Sequence, residues 1–473
     1  MHFEPSFQKR YHKALSDPAM IKAVKNGTGR LRGQRAASIE AVGQERWTAF
    51  RDRAEGISLH VIQHLDQYLE QLVDNVLKKG GHVCLAKTGE EAVQYIAKLA
   101  QKKNAKSIIK SKSMVSEEIH LNPELEKLGC EVIESDLGEY IIQLAGETPS
   151  HIIAPAMHKN RFQVADLFNA VSKEKLSTEI GDLCGFAREH LREKFLGIDI
   201  GITGCNFAIA DSGAITLCTN EGNARIISAL APTLVTIMGM ERILPSIDDL
   251  AVMLSLLARS ATGQKLTVYN TLSTGVRDEN ELDGPQEFHL VIVDNGRSKL
   301  LGTKYEKVLN CIRCGSCLNA CPVYRNIGGH AYGWVYPGPI GAVLSPLFQG
   351  IDKFGELAYA TTLCGACSFA CPVKIPLHDM LYSLRNDKVE LENKGELAEN
   401  IAYKGWSATF ASMNRYRFSV RMARRFQFPL VKAGKIAYGP PPISDWLKHR
   451  DMPALSDRFF HEIWPELHKD RKE

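Results

Sequence analysis

Seven of the chain's twelve cysteines fall between Cys311 and Cys371, in two short motifs. The first, CIRCGSCLNACP, spaces Cys311, Cys314, Cys317 and Cys321 as C-x2-C-x2-C-x3-C before Pro322. This is a bacterial iron–sulfur spacing: three thiolates on one tight loop hold a cluster, and the fourth, past a turn, reaches a second. The other motif, TTLCGACSFACP, carries Cys364, Cys367 and Cys371 before Pro372. Aligned on their Cys-Pro ends, Cys371 stands opposite Cys321, Cys367 opposite Cys317 and Cys364 opposite Cys314, with Thr361 in the place of an eighth cysteine. A crossed arrangement then predicts Cys311, Cys314, Cys317 and Cys371 on one [4Fe-4S] cluster, and Cys321, Cys364 and Cys367 on the other. The second set is one thiolate short. It leaves a [3Fe-4S] centre, or a cubane whose fourth iron has a non-cysteine ligand or stays open. Zinc needs four ligands in a closed tetrahedron and accounts for neither seven cysteines nor two Cys-Pro endings. No C-x3-C-x2-C triplet occurs, which argues against radical chemistry with S-adenosylmethionine.

The first half offers weaker candidates. Lys110, Ser111, Lys112 and Ser113 stand at a strand-to-helix junction, where backbone N–H groups favour anions, although caps and turns use the same residues. GITGCN (Gly201 to Asn206) and TNEGN (Thr219 to Asn223) are turn-rich loops suited to phosphate or carboxylate, and neither is a dinucleotide or Walker motif. Glu221 is the candidate acid, base or nucleophile there, against the plainer reading of a solvated loop residue. His158 and Lys159 follow a short apolar run ending at Pro155, in the position where open α/β sheets bind ligands. Cys84 and Cys130 read as small buried hydrophobes, and Cys205 and Cys218 lie in or beside the glycine-rich loops.

These residues need a scaffold, and the sequence outlines one. At 473 residues the chain is long enough for two to four domains, and 44% hydrophobic with 24% charged residues is ordinary globular composition. From Ile57 apolar residues recur at helical spacing as far as Gly80-Gly81. HVCLA, SIIK, CEVIES, HIIAP, TLVTIM and FHLVIVDNG read as strands, several alternating with helices such as EEAVQYIAKLAQKK, which Thr88 and Glu91 would cap. Such alternation predicts βαβ units and a largely parallel sheet. The expected division is a polar, basic, extended arm over 1–56, an α/β domain over 57–298, a two-cluster ferredoxin-type domain over 299–396, and a basic helical C-terminal region over 397–473.

Net charge is +4, and no DNA-reading motif appears, so neither nucleic-acid binding nor an iron–sulfur regulator is favoured. Between Ile401 and Ser444 eight basic residues occur with no acidic one, a stretch suited either to a solvated face or to an acidic partner or anionic membrane surface. The start lacks an apolar signal segment and the longest apolar run, IISALAPTLVTIMGM, is too short to span a bilayer. The expectation is a cytoplasmic protein, with peripheral attachment at the inner face of the membrane as a variant of it.

The segments KSKSMVSEEIHLNPELEKLGCEVIESDLGEYIIQL, PSHIIAPAMHK and GITGCNFAIADSGAITLCTNEGNARI, followed by the two cysteine motifs and GGHAYGWVYPGPIG, resemble the iron–sulfur B components of three-protein L-lactate oxidation systems. The resemblance covers nearly the whole chain. It implies an N-terminal LUD-type domain with a NagB/RpiA/CoA-transferase-like fold, an α-helical ferredoxin domain and a small helical C-terminal region. It also implies electron transport during oxidation of lactate to pyruvate, with electrons passing from a partner subunit or the α/β domain to a carrier such as quinone. Two partners are implied, a second iron–sulfur, Cys-rich subunit and a second LUD-type subunit. In that family a three-cysteine second motif is usual and both sites are generally assigned as [4Fe-4S]. The alternative reading makes the α/β domain itself a 2-hydroxy-acid or aldehyde dehydrogenase, with the clusters as its electron outlet.

Overall fold

The computed structural model describes residues 6–392, 397–440, 443–448 and 450–468. It separates into two compact units, Met1–Lys388 and Val389–Glu473.

The first unit is organised by a six-stranded sheet of β1 (His82–Ala86), β2 (Ser107–Lys110), β3 (Glu131–Glu134), β4 (Ile200–Gly204), β7 (Thr233–Gly239) and β10 (Glu287–Val293), in the order β1-β10-β7-β4-β2-β3. Every pairing in it is parallel. The central strand β7 is buried along its whole length, which is why TLVTIM reads as a continuous apolar run and not as an alternation. A smaller sheet, β5 (Phe207–Ile209), β6 (Ala214–Thr219), β8 (Ile243–Leu244) and β9 (Tyr269–Ser273), is ordered β8-β5-β6-β9 and mostly antiparallel.

Local chemistry sets several of the boundaries. Thr88 caps helix Gly89–Lys102 by accepting from the Glu91 N–H at 3.3 Å, while the Glu91 carboxylate turns to the Lys87 N–H instead of closing a reciprocal box. Helices Met114–Glu118 and Leu121–Lys127 are separated by His120, which takes a left-handed conformation (φ 53°). Pro123 has no N–H and is tolerated only in a first turn, so a new helix starts at Leu121. HIIAP is a loop and not a strand. Its amides at Ile153 and Ala154 donate to the His151 Nδ1, at 3.0 and 3.2 Å, so no strand partner is needed.

The largest departure concerns residues 6–56 of the expected arm, residues 1–5 lying outside the described residues. In place of an extended arm the chain forms helices Phe7–Leu15, Pro18–Val42 and Gln44–Gln63. Gly27, Gly29 and Gly33 lower the intrinsic helix preference of this stretch by roughly 1 kcal/mol each, and tertiary packing overrides it. Val24, Trp47 and Ala54 are buried in the same core cluster as Leu318, Tyr324 and the cluster-motif cysteines. The chain passes so close to Gly263 that a Cβ there would lie 2.4 Å from the Gln34 backbone.

In the second unit, helices Leu397–Phe410 and Met413–Phe426 are followed by three short strands, Val431–Lys432, Lys435–Ile436 and Met452–Pro453. Phe418, Phe426 and Phe428 are exposed. Among the described residues no helix is long and apolar enough to cross a membrane.

Candidate metal centre

The two cysteine motifs are the same piece of backbone used twice, fifty residues apart. Arg313 and Leu363 both take positive φ (59° and 54°), and Gly315 and Gly365 follow at 72° and 74°. Each loop then enters a one-turn helix, Ser316–Ala320 or Ala366–Ala370, and leaves it through an extended cysteine, Cys321 or Cys371. The exit sulfurs accept backbone N–H groups alike: Cys321 Sγ from Tyr324 and Cys371 Sγ from Ile375, both at 3.4 Å. In this register Thr361 occupies the Cys311 position, and its hydroxyl accepts the Leu363 N–H at 3.0 Å.

Packing of the two one-turn helices crosses the sets. Cys371 lines one small cavity with Cys311, Cys314 and Cys317. Cys321 lies within electrostatic reach of Cys367 and Cys364. All seven thiols are free, and only Cys364 is exposed. Burial pushes Cys314 and Cys371 up to about 12 and Cys321 to about 11. Buried thiols with no nearby base are poor nucleophiles, whereas a metal takes them as thiolates and releases their protons. The donor set therefore fits iron–sulfur clusters.

The surroundings of the two sets differ. The N-terminal helices bring two guanidiniums to the first: Arg35 Nη2 donates to the Ala370 carbonyl at 3.1 Å and Arg51 Nη2 to the Cys371 carbonyl at 2.8 Å. Arg313 lies beside Cys311, where the second loop has Leu363. A buried network joins these loops to the sheet. Arg297, fully buried, donates to both oxygens of Glu118 at 2.8 and 2.9 Å and to Glu241 at 2.7 Å. Tyr336 OH donates to Glu118 at 2.6 Å, and Arg313 Nη2 reaches Glu241 at 3.4 Å. Burial opposes ionisation of Glu241, but Arg297, Arg242 and Arg313 outweigh it and hold the carboxyl near 2. His151, buried and kept neutral (pushed down to about 3), meets Asn319 Oδ1 at 3.1 Å, and Tyr324 OH donates to the Ser150 carbonyl at 2.7 Å.

The weaker candidates separate. Lys112, Cys205, Cys218 and Glu221 line one cleft of about 290 Å³ at the carboxyl ends of β2 and β4. Lys110 does not share it: its ammonium is consumed by Ser116, Glu117 and Glu134 at 3.0, 2.5 and 2.8 Å. Ser113 is a helix cap, accepting the Ser116 N–H. Burial raises Cys205 and Cys218 to about 12, so neither is a ready thiolate. His158 and Lys159, expected at a strand's carboxyl end, follow a loop and are both bound by Glu147, His158 through a hydrogen bond at 2.6 Å and Lys159 through an ion pair at 2.7 Å.

Three family descriptions match in succession: LUD domain over residues 69–293, 4Fe-4S dicluster domain over 307–375, and Lactate utilisation protein B, C-terminal, over 385–469. Lactate utilization protein B of Lysinibacillus sphaericus is 51% identical over 455 residues, covering 96% of this chain and 95% of that protein. The chain belongs to the lactate utilization protein B family. The Bacillus subtilis relative is likewise 51% identical, over 450 residues (95% and 94%). A crystal structure of a DUF162 family protein from Deinococcus radiodurans aligns with 48% of this chain and 98% of its own at 14% identity and a TM-score of 0.28, which adds nothing to the fold described above.

In this lactate utilization protein B family member, several site residues have no local sequence mark. Arg35 and Arg51 lie in the stretch that reads as an arm, Glu118 and His151 fall in segments that mark no role for them, and Glu241, Arg242 and Arg297 belong to no motif. They converge only through the sheet and the packing of the N-terminal helices.

Proposed function

We propose that the chain is an iron–sulfur electron-transfer subunit acting in the oxidation of L-lactate to pyruvate. Cys311, Cys314, Cys317 and Cys371 would hold one [4Fe-4S] cluster. Cys321, Cys364 and Cys367 would hold a second, either [4Fe-4S] with a non-cysteine fourth ligand or [3Fe-4S]. Such clusters supply one-electron carriers. The observation that carries the reading is that Cys371 lines the cavity of the first loop, as a crossed pairing requires. Around it, residues 57–298 would form an α/β domain of the NagB/RpiA/CoA-transferase type, 299–396 the cluster domain, and 397–473 a basic docking region.

Electrons would pass from a partner subunit or the α/β domain to a downstream carrier. The partners would be a second iron–sulfur subunit and a second LUD-type subunit, in the cytoplasm or at the inner face of the membrane. The relatives' name, Lactate utilization protein B, supports the pathway. Anaerobic iron and sulfide quantitation with EPR tests the clusters: about eight irons are expected for two cubanes and about seven for a [3Fe-4S] second site. Cys371→Ser should abolish the signal of the first cluster, and retention of that signal would overturn the crossed assignment. Turnover of lactate with a dye acceptor by the isolated chain would replace the relay with the alternative, an α/β domain that is itself a dehydrogenase.

A further inference from the structure

The cleft at the sheet's carboxyl ends contains cations whose donors are only partly satisfied: Arg313 Nη2 reaches Glu241 at 3.4 Å, and Arg242 and Lys112 meet carboxylates only at 3.8 and 4.0 Å. Arg242, 7% exposed, is a lining residue, and among the described residues its guanidinium makes no hydrogen bond; it meets Glu241 only at 3.8 Å. Arg313 lines the same cleft with its Nη1 buried and unpartnered. Lys112 Nζ is also buried without a hydrogen bond, 4.0 Å from Glu139. Buried donors are nearly always satisfied, and buried charges more strictly so. Among the described residues, two buried donors without a partner, Lys112 Nζ and Arg313 Nη1, and a third cation without a hydrogen bond, Arg242, line one cavity and describe a receptor for an anion.

The far side narrows the class of anion. Glu221, at the cleft, has Asp136 and Lys112 as charged neighbours, whereas Arg242 has Arg313 and Glu241. The cleft is thus lined by carboxylates, Glu221 and Asp136, as well as by the guanidiniums of Arg242 and Arg313. Carboxylates in the lining disfavour a phosphate dianion. A monocarboxylate with an oxygen on its neighbouring carbon fits both, since planar guanidiniums match a carboxylate and the second oxygen can accept from Lys112 and, where it is a hydroxyl, donate to a carboxylate. The volume, about 290 Å³, and the place, at the carboxyl ends of parallel strands, are those of a small-molecule site.

We propose that this cleft binds a small 2-hydroxy or 2-oxo carboxylate, with Arg242 and Arg313 on its carboxylate and Lys112 beside its 2-oxygen. The choice of acid rests on the lactate-oxidation reading above. Because Arg313 also lines the small cavity of Cys311, Cys314, Cys317 and Cys371, the acid would lie next to the first cluster loop.

Calorimetric titration of the full-length, anaerobically prepared chain with L-lactate, pyruvate, propionate and inorganic phosphate is the test. Saturable binding of lactate or pyruvate is expected, with propionate, which lacks the 2-oxygen, weaker by roughly tenfold, the effect of one charge-assisted hydrogen bond. Arg242→Gln should weaken binding by a similar factor or more, and phosphate should not compete. Absence of saturable binding, equal affinity for propionate, competition by phosphate, or unchanged affinity in a folded Arg242→Gln protein would each overturn the site. The propionate comparison uses the unmodified chain and decides the matter even where the variant fails to fold. Iron content and EPR on the same samples separate the two readings: intact clusters without acid binding refute the site alone, and acid binding without clusters refutes the relay alone.

Discussion

Replacing Arg297 by Met would remove the guanidinium that two buried carboxylates share. Glu118 and Arg297 are both fully buried at their side chains, and Glu241 nearly so. Breaking a buried pair from one side costs about 3–5 kcal/mol, because the remaining charge is stranded. A second route gives a similar figure. A stranded Glu118 escapes by taking up a proton, at about 1.4 kcal/mol for each unit between its ordinary value near ~4.3 and pH 7, or close to 4 kcal/mol. Scanning calorimetry should show the midpoint falling by about 8 °C, at roughly 2 °C per kcal/mol for a large unit.

The sign with pH makes the test specific. In the native chain burial opposes ionisation of Glu118, but Arg297 outweighs it and holds the carboxyl below its ordinary value. Its stabilisation is therefore present above the unfolded value and lost only as pH falls through the folded one. In Arg297→Met the folded carboxyl is raised instead, so stability is lost as pH rises. The gap between the two proteins should be widest at neutral pH and shrink towards pH 5. A loss below about 1 kcal/mol, or one that does not change with pH, would refute the network's role. The double variant Glu118→Gln/Arg297→Gln, which leaves Glu241 with Arg313 and Arg242, should recover part of the loss.

Three further outcomes are expected. Glu139, buried and raised to about 8, binds a proton on folding, so Glu139→Gln should gain stability over the native chain as pH rises from about 4 to 8, read as a midpoint-against-pH curve; parallel curves would count against it. Gly329 packs so tightly that a Cβ would lie 1.8 Å from the Ser150 carbonyl, which also accepts Tyr324 OH, and Gly329→Ala should cost about 1–3 kcal/mol in thermal unfolding. Arg421, Arg424 and Arg425 lie on helix Met413–Phe426, and replacing all three by Ala should weaken sedimentation with anionic vesicles or an acidic subunit and flatten its salt dependence; unchanged co-sedimentation would refute a docking role.

The parts of the protein encoded locally were legible. Seven cysteines at fixed spacing point to iron–sulfur chemistry because a cluster constrains its ligands to a short loop, and the fifty-residue offset places Thr361 opposite Cys311. The parallel sheet follows from apolar runs separated by helices, each set by near neighbours. HIIAP failed as a strand because its donors are satisfied by the ring of its own first residue, His151. His158 and Lys159 failed as site residues for a related reason, since Glu147, eleven and twelve residues before them, takes both.

What the sequence determined by itself was the chemistry of the centre and the class of its scaffold, because thiolate spacing and hydrophobic period are properties of neighbouring residues. Only the tertiary structure decided that a glycine-rich, basic leader becomes three helices supplying Arg35 and Arg51, and that Glu118, Glu241, Arg242, Arg297 and Arg313 converge between sheet and cluster loop. Charges so far apart in sequence carry no common pattern. They acquire one only when burial removes water and leaves each with the partners, or the vacant donors, that folding has placed beside it.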